Sequence, residues 1–270
     1  MKQKILKILA IILWCGIFAG IAVSLGFISI EQDKVLCKAI IVNIDRKNEN
    51  YFIEEEDIKE IIFNKGDSLI GTPVSRINIA GLERSVKNNP SVENAEVYTT
   101  IDGVLKIEVV QRRPVVRIYN LTGDSYYIDE HGKPMPLSVN YAARVPVANG
   151  NIKENYPLVC RLSMNSLSKE QADTTILDEI FTLTSYIDKD EFLKVQIEQI
   201  FINEENEIVL IPRVGNHKII FGDITAMEEK FKKLRLFYEK GLNNVGWNNY
   251  SIINLKFKNQ VVCTKKEIKV

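Results

Sequence analysis

The sequence has little of the chemistry on which most enzyme active sites are built. It contains only two histidines, His131 and His217, both in turn-like stretches, and neither has a second ligand at the spacing typical of a metal site. Beside Asp129 and Glu130, His131 fits either an acid–base cluster or a solvated turn, and the turn is favoured. No Gly-x-Ser-x-Gly elbow, phosphate loop or dinucleotide fingerprint occurs. We therefore expect a protein that is not an enzyme and needs neither a metal nor a cofactor.

The sequence also has few cysteines and no net charge. The four cysteines, Cys15, Cys37, Cys160 and Cys263, form no Cys-x-x-Cys pair, and we interpret them as small buried apolar side chains or free thiols. Lys+Arg and Asp+Glu balance at 35 each, so composition gives no reason to expect nucleic acid as a partner. Short-period repeats are missing as well, which argues against solenoids and propellers. We expect no small-molecule substrate either.

The longest apolar run lies at the N-terminus. Residues 8–30 include no charged side chain across 23 positions, and a helix of about 20 apolar residues spans a bilayer. Three lysines precede the run and Glu31 and Asp33 follow it, so the N-terminus is expected in the cytoplasm and the remaining chain outside. A cleaved signal peptide is the alternative, but its apolar region is usually about 7–15 residues long. We predict a retained, single-pass anchor in a bacterial inner membrane.

The segment after this run predicts a β-α-α-β-β unit. Residues 39–44 favour a strand. Four consecutive carboxylates at 54–57 suit the positive end of a helix dipole. An acidic metal site is the alternative there, but consecutive helical residues point in different directions. A second helix must stop near Asn89, because Pro90 disfavours a helical conformation in the residue before it.

Two strands complete this unit. They cover residues 92–100 and 104–110 and flank the pair Asp102-Gly103. Such a pair predicts a hairpin with a type I′ turn, in which both central residues have positive φ. Two helices packed on one face of a three-stranded sheet would bury one side of every element.

The second half predicts a β-rich domain with two covering helices. Apolar side chains at helical spacing indicate helices over residues 174–187 and 225–240. Gly241 then fits the left-handed position that ends many helices. The strand-like runs are residues 197–202, 207–211, 218–221, 252–257 and 261–264.

Two segments of the first unit are similar to a known module. They read Asn-Pro-Ser-Val-Glu-Asn-Ala-Glu-Val at 89–97 and Leu-Lys-Ile-Glu-Val-Val-Gln-Arg-Arg-Pro at 105–114. They resemble the POTRA module of the FtsQ/DivIB cell-division proteins. In that family a helix ends in Pro-x-Val-x-x-Ala-x-Val, a hairpin follows, and the last strand closes on an acidic-or-polar-Arg-x-Pro element. Gln111 stands where the family usually has Glu.

The resemblance continues, in the family's order, through the second half. Residues 126–132 (Tyr-Tyr-Ile-Asp-Glu-His-Gly) resemble its strand and turn ending in Asp-x-x-Gly. Residues 145–150 (Val-Pro-Val-Ala-Asn-Gly) resemble its Leu-Pro-x-Leu-x-Gly segment, and Phe221-Gly222 resembles its Leu-Gly helix start. The implied fold is α+β. The implied divisions are a cytoplasmic tip and transmembrane helix over 1–35, a POTRA-like domain over 36–112, a β domain over 113–264 and a tail over 265–270.

The resemblance also implies a function. Proteins of this family are inner-membrane divisome scaffolds with periplasmic domains at the division septum, and their β domain recruits the small coiled-coil subunits FtsB and FtsL. Two other classes remain open. One is a POTRA-bearing protein of outer-membrane or secretion assembly, which would normally need several such modules or a barrel. The other is a membrane-anchored cell-wall hydrolase, against which the missing nucleophile and metal ligands argue.

The expected partner site lies on the last strands of the β domain. The resemblance places partner contacts at this end, and a terminal strand can accept a foreign strand on its free edge. Phe257 is the predicted anchor, and the alternative is a core position, since it alternates with Ile253 and Leu255. The other residues expected at this site are Tyr250, Lys256, Lys258, Val261 and Val262.

Overall fold

The computed structural model describes residues 13–21, 35–46, 50–63, 69–165, 175–242 and 246–266. Helix α1 occupies residues 13–21, and Leu13, Trp14 and Phe18 on it are exposed. Among these described segments, no helix is long and apolar enough to cross a membrane. Most of the predicted span over residues 8–30 lies outside the described residues, and it stays a prediction.

Contacts divide the chain into two compact units. The main boundary between them lies between Gln111 and Arg112. Asn50, Tyr51 and Phe52 belong to the second unit, although they precede most of the first unit in sequence. These three residues depart from the predicted continuous range 36–112.

The first unit has the predicted β-α-α-β-β order. Its elements are β1 (Ala39–Asp45), α2 (Glu55–Phe63), α3 (Ile79–Lys87), β2 (Val92–Thr99) and β3 (Val104–Gln111). Strand β3 is central in the sheet, parallel to β1 and antiparallel to β2. A central strand contributes alternate residues to the core, and Leu105, Ile107 and Val109 are all buried.

Helices α2 and α3 begin where the sequence provides caps. The Asp57 carboxylate accepts a hydrogen bond from the backbone N–H of Glu54 at 2.8 Å, so the acidic run is a helix N-terminus as predicted. The Asn78 side chain accepts from the N–H of Gly81 at 2.9 Å and caps α3. Helix α3 ends at Lys87, just before Pro90, as expected from the restriction that proline imposes.

The turn between β2 and β3 differs from the predicted type I′ turn. Gly103 has φ of 86°, but Asp102 does not have positive φ. The N–H of Gly103 donates to the carbonyl oxygen of Thr100 at 3.1 Å, so Ile101 and Asp102 are the central residues. This is the three-residue hairpin loop, a type I turn followed by a left-handed residue. The Asp-Gly pair predicted the position of the hairpin but not the length of its loop. The two-residue type I′ loop and the three-residue loop both place a glycine in the left-handed region.

The second unit is built on one nine-stranded sheet. Its strands are β4 (Pro114–Tyr119), β5 (Ser125–Asp129), β6 (Pro134–Met135), β7 (Val147–Gly150), β8 (Ile197–Ile202), β9 (Ile208–Pro212), β10 (Lys218–Gly222), β11 (Tyr250–Asn254) and β12 (Val262–Lys265). The order across the sheet is β12-β11-β10-β9-β8-β7-β4-β5-β6. Strands β4, β7 and β8 run parallel, β11 is parallel to β10, and the other neighbours are antiparallel.

The described residues of this unit form four helices, whereas the sequence predicts two. They are α4 (Tyr156–Asn165), α5 (Ile176–Asp188), α6 (Glu191–Gln196) and α7 (Met227–Leu236), and a π-helical turn (Phe237–Leu242) continues α7. The predicted helices are α5 and α7, whose apolar side chains Leu183, Phe231 and Leu234 join the strands in one core. Helix α6 has six residues, too few for a helical repeat to show in the sequence.

The end of α7 corrects a second prediction. Gly241 lies inside the π-helical turn, where an added Cβ would come within 2.8 Å of the Phe237 ring. The left-handed position belongs to Gly246, with φ of 92°, and its N–H donates to the carbonyl oxygen of Leu242 at 2.8 Å.

Candidate partner-binding site

Strand β12 forms one edge of the nine-stranded sheet. It pairs with β11 through Asn254↔Val262 and Ile252↔Thr264, and no other strand of the described residues lies beside it. Backbone donors and acceptors along an outermost strand are free to pair with another chain. The sheet therefore offers an open edge at its C-terminal end.

Chain connectivity explains why this edge is outermost. Strand β10 leads into α7, and the chain returns as β11, parallel to β10. Parallel neighbours require such a crossover, whereas β12 follows β11 by a short turn and pairs antiparallel with it. The last hairpin strand is thus added on the side away from the sheet's centre.

Phe257 lies in the turn between β11 and β12, not on a strand. Strand β11 ends at Asn254, whose side-chain oxygen accepts a hydrogen bond from the N–H of Lys256 at 3.0 Å. Such an Asx turn redirects the backbone. Ile253 and Leu255 are fully buried, but Phe257 is 45% exposed. The predicted strand to residue 257 is wrong at its end, and so is the alternative that Phe257 belongs to the core.

Two lysines hold this turn. The Lys233 ammonium on α7 donates to the carbonyl oxygens of Leu255 at 2.9 Å and Phe257 at 2.6 Å. Partial burial, and secondarily the nearby Lys230, lowers the pKa of Lys233. The Lys256 ammonium pairs with Glu207 beyond β8, and this hydrogen bond lowers the pKa of Glu207. The backbone around Phe257 is therefore fixed from two other elements.

The remaining predicted site residues are only partly brought together. Lys256 and Lys258 are exposed in the same turn as Phe257, and Val262 is exposed at the start of β12. Val261 is half-buried against the core. Tyr250 lies at the far end of β11, opposite Lys265, and its ring contacts Phe237 with centroids 5.9 Å apart. Tyr250 is thus on the strand next to the edge and not beside Phe257.

The edge carries a basic charge that the sequence prediction covered only in part. No acidic residue occurs between Glu239 and Glu267. Lys256 and Lys258 lie in the turn before β12. At the other end of the strand Lys265 is exposed, and Lys266 follows it and is half-buried. The missed signal was this long stretch without Asp or Glu. A strand that carries carboxylates would be attracted to the edge.

His217 is buried, although the sequence placed it in a turn-like stretch. Its Nε2 shares a hydrogen bond with the Tyr238 hydroxyl at 2.8 Å, and its Nδ1 has no partner among the described atoms. Burial, with a smaller effect of Lys266, lowers the pKa of His217 to about 4. Burial also raises the pKa of Tyr238. The imidazole is therefore neutral at ordinary pH and acts as a core residue.

His131 is exposed in a turn that Asp129 closes. One oxygen of the Asp129 carboxylate accepts from the N–H groups of His131 at 2.9 Å and Lys133 at 2.7 Å. Gly132 between them has φ of 75°. This carboxylate stabilises the turn that the sequence interpretation favoured.

The cysteines are free thiols. Cys37 is buried in the first unit, Cys15 is exposed, and Cys160 and Cys263 are half-buried. Burial raises the pKa of the Cys263 thiol, which disfavours the reactive thiolate.

Comparison with known families assigns both units. A model described as FtsQ/DivIB, C-terminal related matches residues 113–264, and a model of the POTRA-like domain matches residues 35–110. No curated protein matches the chain. The first match spans more than half of the 270 residues and includes the edge strand β12 up to Thr264. The chain therefore belongs to the FtsQ/DivIB family of cell-division proteins.

Proposed function

We propose that this protein is a divisome scaffold without catalytic activity of its own. Its N-terminal segment anchors it in the inner membrane as a single-pass protein, with the N-terminus cytoplasmic and both folded units periplasmic. At the division septum these units gather other division proteins. Family membership supports the cell-division role, and the charge asymmetry around residues 8–30 supports the topology.

The open edge at β12, with an exposed aromatic ring beside it, is the observation that carries this proposal. An extended segment of an FtsB/FtsL-like subunit adds to β12 as a further strand, and its backbone pairs with the free donors and acceptors. Phe257 supplies the apolar anchor, since aromatic side chains contribute much of the energy of interfaces. Lys258 and Lys265 favour a partner segment that is acidic.

The rigidity of the turn favours this mode of binding. Lys233 fixes the backbone on both sides of Lys256, and Lys256 itself pairs with Glu207. A ring presented from a fixed backbone loses less conformational entropy on binding than one on a mobile loop.

A crosslinking pull-down with the tagged full-length protein tests the partner site. Phe257→Ala and Val262→Pro should each abolish capture of the FtsB/FtsL-like subunits, because one removes the anchor and the other disrupts the edge strand. Phe63→Ala, at an apolar position of the first unit that is 43% exposed, and Val262→Thr are the matched controls. Wild-type capture by both test variants would contradict the proposed site.

Fusions test the location. An alkaline phosphatase fusion after Val270 should be active, and the mature protein should begin at or near Met1. A fluorescent fusion should concentrate at mid-cell. A mature N-terminus near Leu25 would contradict the retained anchor, and even labelling of the cell periphery would contradict the divisome role.

A further inference from the structure

The sheet of the second unit has a gap at the amino ends of three parallel strands. Strand β7 starts only at Val147, which pairs with Arg117 of β4 and Gln199 of β8. Both neighbours begin earlier, at Pro114 and at Ile197. Residue 146 is proline, which has no N–H with which to extend the ladder. A groove of about 960 Å³ borders the uncovered ends of β4 and β8.

Ion pairs saturate one side of this groove. Arg113 donates from Nε and Nη2 to one oxygen of Glu130 at 3.0 and 2.9 Å, and its Nη2 lies 2.8 Å from Asp188. Lys194 lies 2.7 Å from the other oxygen of Asp188. Burial opposes ionisation of Asp188, but the hydrogen bonds from Arg113 and Lys194 outweigh it and lower the pKa of Asp188. Two cations and two carboxylates here neutralise one another.

Two further arginines line the groove without such partners. Arg144 and Arg213 are exposed, and no carboxylate of the described residues lies within 4.0 Å of either guanidinium. Glu198 is the other acidic residue in the lining. Glu130 and Asp188 balance Arg113 and Lys194, so Arg144 and Arg213 face Glu198 alone, which leaves one positive charge in excess.

Apart from Asn50 and Thr184, the rest of the lining is apolar or aromatic. Tyr51 and Tyr141 meet edge to face, with ring centroids 5.7 Å apart. Ala143 and Val145 continue the wall towards the start of β7. Tyrosine offers a large apolar face and a polar tip, a combination enriched at binding surfaces. The groove therefore combines an apolar wall with two guanidinium groups that have no carboxylate partner in the described part of the chain.

We propose that this groove binds an extended acidic peptide segment of a partner protein. Its carboxylates pair with Arg144 and Arg213, and its apolar side chains lie against the tyrosine wall. Guanidinium groups match carboxylates in a two-point geometry. The volume is near the upper end of the roughly 300–1,000 Å³ typical of ligand clefts, so a small inorganic anion would fill little of it. The proposal does not depend on the β12 edge, to which no residue of the groove belongs.

Fluorescence anisotropy with the full-length protein tests this site. The probe is a fluorescein-labelled peptide Gly-Glu-Val-Glu-Val-Glu-Gly, and the reference peptide has glutamine in place of each glutamate. We expect saturable binding of the acidic probe only. The double variant Arg144→Gln/Arg213→Gln should bind it with an affinity that is lower by at least about tenfold. Circular dichroism should match the wild type, because both side chains are exposed.

Two controls distinguish binding in the groove from general charge attraction and from binding at the β12 edge. Arg76→Gln/Arg84→Gln changes the net charge equally at exposed positions of the first unit and should leave binding unchanged. Phe257→Ala should also leave it unchanged, because this ring belongs to the proposed partner edge. Equal binding by the double variant, equal binding of the glutamine peptide, or full displacement by inorganic phosphate would each overturn the proposal.

Discussion

The Lys233 ammonium donates to the carbonyl oxygen of Phe257 at 2.6 Å, from a helix 24 positions away in the sequence. It also donates to the carbonyl oxygen of Leu255, so one side chain holds the backbone on both sides of Lys256. The Phe257 ring is nevertheless 45% exposed. The ring is therefore exposed because the turn that carries it is held in place and directs the Phe257 side chain outward.

Replacing Phe257 separates binding from folding. Phe257→Ala should change the free energy of unfolding by less than about 1 kcal/mol, because the ring is half exposed. Leu255→Ala, two residues earlier and fully buried, should lower it by about 2–5 kcal/mol. Urea unfolding of both variants gives the comparison. A loss of more than about 3 kcal/mol for Phe257→Ala would mean that the ring packs inward.

Replacing Lys233 tests whether the turn must be held. Lys233→Met keeps the aliphatic stem and removes both hydrogen bonds to the turn. Partner capture should weaken by about tenfold or more, since a hydrogen bond from a charged group contributes roughly 1.5 kcal/mol or more. Lys232→Met, at the preceding position of α7, is the control. Unchanged capture by Lys233→Met in a quantitative pull-down would show that the turn keeps its geometry without the ammonium.

The first unit offers a test of its core. Val97 is 6% exposed on β2, so Val97→Asp should place an unpaired charge among apolar side chains. We expect a loss of more than about 4 kcal/mol, enough to unfold the unit. Asn94→Asp adds the same charge on the exposed face of the same strand and should be nearly neutral. Limited proteolysis of both variants distinguishes the outcomes, and a protease-resistant Val97→Asp protein would contradict the placement of this residue.

The buried imidazole predicts a stability that falls in acid. Burial lowers the pKa of His217 to about 4 in the folded protein, against about 6.5 in the unfolded chain. Between these values the unfolded state binds more protons, so the free energy of unfolding decreases as pH falls through this window and levels off below it. The full loss is about 3 kcal/mol at roughly 1.4 kcal/mol for each pH unit. Tyr238 and Lys266 are the other titratable groups that act on this ring.

A histidine variant measures this contribution. The free energy of unfolding of His217→Gln should decrease less between pH 6.5 and pH 4.5 than that of the wild type, whatever its absolute value. Identical slopes for the two proteins would show that His217 does not titrate below the range of an unfolded histidine.

The sequence predicted helices and strands best where the hydrophobic repeat was long or where a proline marked the end of a helix. Helix α5 carried an apolar stripe over its 13 residues, and Pro90 marked the end of α3. Helix α6 was missed because six residues carry no repeat. Phe257 was placed on a strand because it continues the alternation of Ile253 and Leu255, and only the Asx turn at Asn254 interrupts that alternation.

The order of the two units, the family motifs and the basic stretch near the C-terminus can be recognised from the sequence alone. Each of these features depends on residues that lie close together in the chain. The tertiary structure decided which strand is outermost, since strand order follows from the parallel return of β11 beside β10. It also decided that Lys233 meets Phe257 and that Arg113 lies between Glu130 and Asp188. Such contacts join residues 17 to 75 positions apart. Hydrophobic periodicity cannot predict them, because only folding brings these side chains together.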